Sequence, residues 1–130
     1  MKMYCIVARE SLLKMNGNRG KLAAQAGHAY LHAWWDSFTR FTPSFKGSSS
    51  DCPAGQYKMS GKATKVCLVV ETVDELREIE ARYRPVCGVS LVTDAGITCF
   101  NGEPTVTCLG LGPITDEQVG EDLRSLRVLI

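Results

Sequence analysis

Two rhythms of apolar and polar positions run along the chain. Met3 to Ala8 is a short apolar run holding Ile6 and Val7, the length of a buried strand. Lys14 to Gly20 is polar and glycine-bearing. From Lys21 to Phe38 the chain has no proline, Gly27 as its one glycine and five alanines, which predicts a long helix opening near Gly20. Arg40 to Thr64 collects Pro43, Gly47, Ser48, Ser49, Ser50, Pro53, Gly55 and Gly61, a composition that predicts a mobile surface excursion with room for a short ordered piece.

The second half is more regular. Lys65 to Glu71 is rich in strand-forming residues, and Thr72 with Glu75 forms a capping box opening a helix to about Arg84, where Pro85 stops it. Val89 to Thr93 reads as a strand, Ile97 to Phe100 as a short one, and Thr105 to Leu111 as a longer one. Thr115 and Gln118 form a second capping box, predicting a last helix to about Leu123. This alternation predicts an α/β fold: a mixed, mainly parallel four- to five-stranded sheet with right-handed crossovers and helices on both faces, a three-layer α/β/α arrangement.

At 130 residues and 45% apolar content the chain encloses one core, so residues 1–130 are expected to form a single domain with the excursion at 40–64. No apolar run approaches the roughly 18 residues that span a bilayer, and Met1 to Arg9 lacks the pattern of a signal peptide. A cytoplasmic protein with no membrane partner is expected. The six cysteines include no Cys-x-x-Cys pair, and four sit in apolar, strand-like surroundings. That argues against a disulfide framework or a zinc site and for a reducing compartment; no metal or other cofactor is expected.

Net charge is +1, yet residues 1–65 carry ten Lys and Arg against three Asp and Glu, while residues 66–130 carry five against eleven. A basic half suits a phosphate-bearing partner, since Lys and Arg near a nucleic acid release condensed counterions. Such a division also serves plain solvation, because sequence halves need not map to faces.

Candidate chemistry gathers in two places. At 100° per residue Lys21, Gln25, His28 and His32 fall within a stripe roughly 60° wide, beside a stripe of Leu22, Ala26, Ala29 and Ala33 small enough to bring the helix close to a sheet. One face packs and the other presents chemistry, although exposed Lys and Gln with hydrogen-bonded histidines would give the same pattern. The second place is Asp94-Ala95-Gly96-Ile97-Thr98, just beyond a strand, where open α/β sheets line their ligand crevices. Asp and Gly there also suit an ordinary turn.

Gly20-Lys21-Leu22-Ala23-Ala24-Gln25-Ala26-Gly27-His28-Ala29, Asp94-Ala95-Gly96-Ile97-Thr98, Thr105-Val106-Thr107 and Gly110-Leu111-Gly112-Pro113 together resemble the peptidyl-tRNA hydrolase type 2 family, in order and in spacing. The resemblance runs from about Tyr4 to the C-terminus; Gly47 to Lys65 is expanded relative to the family's pattern. It implies an enzyme that cleaves the ester between peptide and the terminal ribose of tRNA, recycling peptidyl-tRNA without a metal. It assigns Lys21, Asp94 and Thr98 as catalytic residues, with Gln25, His28 and Thr107 binding substrate beside them. Lys14 and Arg19 add positive charge for the tRNA. Individual roles stay open: Asp94 orients Lys21 or accepts a proton from water, and Lys21 stabilises an oxyanion or grips a phosphate. Both a monomer and a homodimer remain open. A binding module that recognises RNA or protein without turnover is the alternative, and Arg40, Lys46, Lys58 and Lys62 would serve it too. The sequence argues against a phosphate-loop ATPase, since Met15 and Leu22 stand where that motif needs Gly and Ser or Thr. No Gly-x-Ser-x-Gly elbow is present for an acyl-enzyme.

Overall fold

The strand β1, Lys2–Ala8, lies at the centre of a five-stranded sheet because nearly every residue in it is apolar, so both of its faces can be covered. The computed structural model describes residues 1–42, 52–96 and 100–130. β1 leads into the short helix α1, Arg9–Lys14, and then the long helix α2, Arg19–Phe41. The helix α3, Pro53–Met59, precedes β2, Lys65–Val70, and α4, Val73–Tyr83. β3, Val89–Asp94, and β4, Thr105–Ile114, follow, and α5, Glu121–Arg124, with β5, Arg127–Val128, close the chain.

The strand order is β3-β4-β1-β2-β5, and β1 with β2 is the one parallel pair among the described residues. β4 runs antiparallel to both β1 and β3, and β5 antiparallel to β2. The sheet is mixed, as expected, but mostly antiparallel rather than mainly parallel. The reason is that β4 enters the centre of the sheet without a crossover helix before it, and only a crossover enforces parallel pairing.

Alternation along β1 sends Tyr4, Ile6 and Ala8 to one face and Met3, Cys5 and Val7 to the other. The first face packs against Leu76, Ile79 and Tyr83 of α4 and Leu123 of α5, the second against Ala29 and Ala33 of α2. Helices therefore cover both faces. α2 lies very close to the sheet: a β-carbon built on Gly110 would stand 1.9 Å from the carbonyl oxygen of Ala29. Glycine in β4 is what permits that approach. At the far end of α2, Arg40 donates to the carbonyls of Arg84 and Cys87, each at 2.7 Å, and Asp36 accepts from the Val89 amide at 2.8 Å. These bonds brace α2 against the start of β3.

Several expected boundaries move. The Arg40 to Thr64 segment begins inside α2 and contains α3, whose Ala54 and Tyr57 are buried and whose Ala54 carbonyl accepts from Trp34 Nε1 at 2.9 Å. Residues 43–51 lie outside the described residues. The Thr72 box forms its cap, with the Glu75 amide donating to Thr72 Oγ1 at 3.2 Å. Thr115 and Gln118 instead bound a turn: Gln118 Oε1 accepts from both the amide and the hydroxyl of Thr115. No helix propagates from them, because Gly120 intervenes, its amide held by Tyr83 Oη at 2.9 Å, and α5 starts only after it. Of the short strand expected over Ile97 to Phe100, residues 97–99 lie outside the described residues, and Phe100–Gly102 forms a 3₁₀ turn. Among the described residues no helix is long and apolar enough to cross a membrane.

Candidate active site

The N-terminus of α2 is set by Asn18, whose extended backbone and side-chain oxygen cap the helix by accepting from the Lys21 amide at 3.0 Å. Lys21 thereby sits in the first turn, facing the end of β3. Its Nζ lies 2.6 Å from Asp94 Oδ2, and the Asp94 side chain is 4% exposed against 17% for Lys21. This is a largely buried ion pair at the foot of a cleft.

Asp94 closes a turn and also lines the cleft, so the turn reading does not exclude the other. Its Oδ1 accepts from the Gly96 amide at 2.7 Å, closing an Asx turn, while Oδ2 takes Lys21 and also Gln25 Nε2 at 3.0 Å. Gly96 adopts φ +83°, and a β-carbon there would stand 2.5 Å from the Glu103 carbonyl oxygen, so the turn requires glycine. Burial works to raise the Asp94 carboxyl, but Lys21, by hydrogen bond and by charge, and the Gly96 amide outweigh it and hold the group below its ordinary value of 3.8. The positive end of α2 acts in the same direction.

Gln25 is buried, 6% exposed, and its amide is oriented from beneath. Thr107 Oγ1 donates to Gln25 Oε1 at 2.7 Å, leaving the Gln25 NH₂ to face Asp94. A β-bulge makes this contact. In the β3 and β4 ladder Val92 pairs with Cys108 and Thr93 with Val106, so Thr107 is an extra residue whose side chain turns toward α2 beside that of Cys108. The Cys108 thiol also reaches the Gln25 carbonyl, at 3.5 Å.

An open cleft of about 490 Å³ rises from the pair, lined by Lys21, Gln25, His28, His32 and Asp94 together with the end of β3. Both histidines are exposed on its rim. Of the expected set, Lys21, Gln25, Asp94 and Thr107 form one hydrogen-bonded network and His28 shares its cleft. Lys14 does not: it borders a neighbouring depression of about 540 Å³ with Asn16, Asn101, Glu103 and Thr105. Arg19 is exposed at the first position of α2, and Thr98 lies outside the described residues. Arg40 is held by Asp36 and two carbonyls, so its charge braces the fold. The sequence reading missed the Asn18 cap, for which the signal existed three residues before Lys21, and the Thr107 bulge, which has no sequence marker.

The family Peptidyl-tRNA hydrolase PTH2 matches residues 1–129 of the chain. A protein named peptidyl-tRNA hydrolase from Methanothermobacter thermautotrophicus is 38% identical over 133 residues, covering 99% of this chain and 100% of that protein. One of the same name from Haloquadratum walsbyi is 37% identical over 122 residues, 93% of this chain and 94% of the relative. A third, from Methanopyrus kandleri, is 38% identical over 104 residues, 78% of each. On this match along its whole length, the chain belongs to the peptidyl-tRNA hydrolase PTH2 family.

Proposed function

We propose that the protein hydrolyses the ester linking a peptide or N-blocked amino acid to the terminal ribose of tRNA, acting as a single cytoplasmic domain with Lys21 and Asp94 at the reacting centre. The observation that carries this reading is the buried Lys21 and Asp94 pair, 2.6 Å apart, at the foot of an open cleft in a chain of this family.

Ester hydrolysis needs a placed water, stabilisation of the developing oxyanion and a proton for the departing ribose oxygen. A carboxyl held below its ordinary value is a weak base near neutral pH, which favours Asp94 as a permanent anion that aims Lys21 and orders a water. A carboxylate offers about four lone-pair sites, and Lys21, Gln25 and Gly96 take three among the described residues. Lys21 has three ammonium protons and directs one to Asp94, so it retains donors for the oxyanion or a terminal phosphate. Thr107 and Gln25 act through Asp94 as positioning residues. His28 brings an imidazole to the cleft rim to bind substrate, and Thr98 remains in the set on the family resemblance, to hold water or a substrate carbonyl.

The test is release of N-acetylated amino acid from N-acetylaminoacyl-tRNA by the purified protein. Multiple turnover supports the hydrolase. Binding of the tRNA without cleavage establishes the binding module instead.

A further inference from the structure

The row of side chains that begins at Lys21 continues along α2 beyond the cleft as a ladder of rings. His28 and His32 meet edge to face with centroids 5.7 Å apart, and His32 and Trp35 follow at 5.6 Å with a tilt of 42°. On the 100° wheel Trp35 stands at about −40°, beside His28 and Lys21. Trp35 is 50% exposed, although its neighbour Trp34 is held by Ala54 and stacks on Phe38. A half-exposed tryptophan in a row with two exposed imidazoles contributes little to this core and leaves aromatic surface facing solvent.

We propose that His32 and Trp35, continuing from His28, form a stacking platform for the unpaired 3′ nucleotides of the substrate tRNA. The inference deepens the reading above and rests on it. Two observations favour nucleotide bases as the occupant. The first two rungs line the same cleft as Lys21 and Asp94, so a chain whose terminal ribose sits at that pair continues directly onto the ladder. From Lys21 to Trp35 the helix rises roughly 21 Å, room for a short unpaired tail. Successive bases offer π faces to aromatic rings without regard to sequence, which suits an enzyme whose substrates share their 3′ end. Leu31 and Phe38, 46% and 43% exposed, border the ladder and make a second copy of the chain the competing occupant.

The chain has two tryptophans, so Trp34→Phe leaves Trp35 as the single tryptophan, whose emission is read under excitation that spares tyrosine. Titration of that variant with the ribotrinucleotide CCA is expected to quench its emission, with little sensitivity to salt, whereas an abasic trinucleotide with the same phosphates leaves it unchanged. In the otherwise unaltered protein, Trp35→Ala is expected to raise KM for N-acetylaminoacyl-tRNA about tenfold while kcat holds, and Trp35→Phe to recover most of the loss. Absence of quenching by CCA in a protein that hydrolyses the substrate overturns the platform and leaves the hydrolase intact. Quenching by CCA in a protein that does not hydrolyse supports the platform and overturns the hydrolase. Conversion of a dimer to a monomer by Trp35→Ala in sedimentation assigns the face to a second copy and overturns the platform.

Discussion

Thr107 Oγ1 donates to Gln25 Oε1 at 2.7 Å, and this bond anchors the amide whose other end donates to Asp94 Oδ2 at 3.0 Å. Thr107→Val removes the donor while keeping the shape of the side chain. The buried Gln25 oxygen then loses its partner and the amide its anchor beneath Asp94, at a cost of about 1–2 kcal/mol. We expect kcat to fall about tenfold with KM nearly unchanged, and Thr107→Ser to restore it. Steady-state kinetics with denaturant unfolding checks both; lost stability with unchanged kcat would make the bond a packing feature only.

The depressed Asp94 carboxyl has a consequence for stability. A group whose folded value lies below its unfolded one stabilises the native state above the unfolded value and ceases to do so as pH falls through the folded value. The advantage of the wild type over Asp94→Asn in denaturant unfolding should therefore be complete above about pH 5. It should shrink as pH falls below the ordinary value of 3.8. A constant difference across that window contradicts the assignment.

The close approach of α2 to β4 predicts a contrast between two glycines. Gly110→Ala places a methyl 1.9 Å from the Ala29 carbonyl oxygen, so α2 must lift and take Gln25 with it. A loss of about 3 kcal/mol, near 10 °C in Tm, is expected together with loss of hydrolysis. Gly27→Ala meets nothing within 4 Å and should stabilise the exposed helix face by about 0.5–1 kcal/mol. Thermal melts of the two variants check this directly.

Basic residues divide into those that brace and those free to meet tRNA. Arg40→Ala loses bonds to Asp36, Arg84 and Cys87 and should cost about 1–3 kcal/mol of stability without altering the salt dependence of tRNA binding. Lys14→Ala and Arg19→Ala should each lower the slope of log K against log salt by about one, with stability unchanged. Equal slopes in all three variants would remove Lys14 and Arg19 from the interface.

Much of this architecture is legible in the sequence. The apolar run around Ile6 and Val7, the alanine-rich helix and the Thr72 cap each carry a local signal that tertiary packing reinforces. Strand direction was not legible, because strands buried on both faces, as β1 is, show an apolar run that reads alike either way. α1 is six residues long, too short to display a period, and it is fixed by a tertiary bond from buried Ser11 to the Val106 carbonyl at 2.6 Å. At the site, helical phase found Lys21 and Gln25 but did not tell them apart. Gln25, at about 40° on the wheel, lies halfway to Ala29 and so is buried against the sheet, while His28 and His32 stay on the rim. The bulge that turns Thr107 toward Gln25 depends on the register between β3 and β4, which no local residue pattern marks.

The central claim, that Lys21 and Asp94 act as one catalytic unit, is tested most directly by kcat/KM on N-acetylaminoacyl-tRNA for Lys21→Ala, Asp94→Ala and the double variant. Each single change should lower kcat/KM by about 10²–10³-fold, and the double variant should be no worse than the poorer single one. Single variants within a few-fold of wild type, or losses that multiply in the double variant, would contradict it.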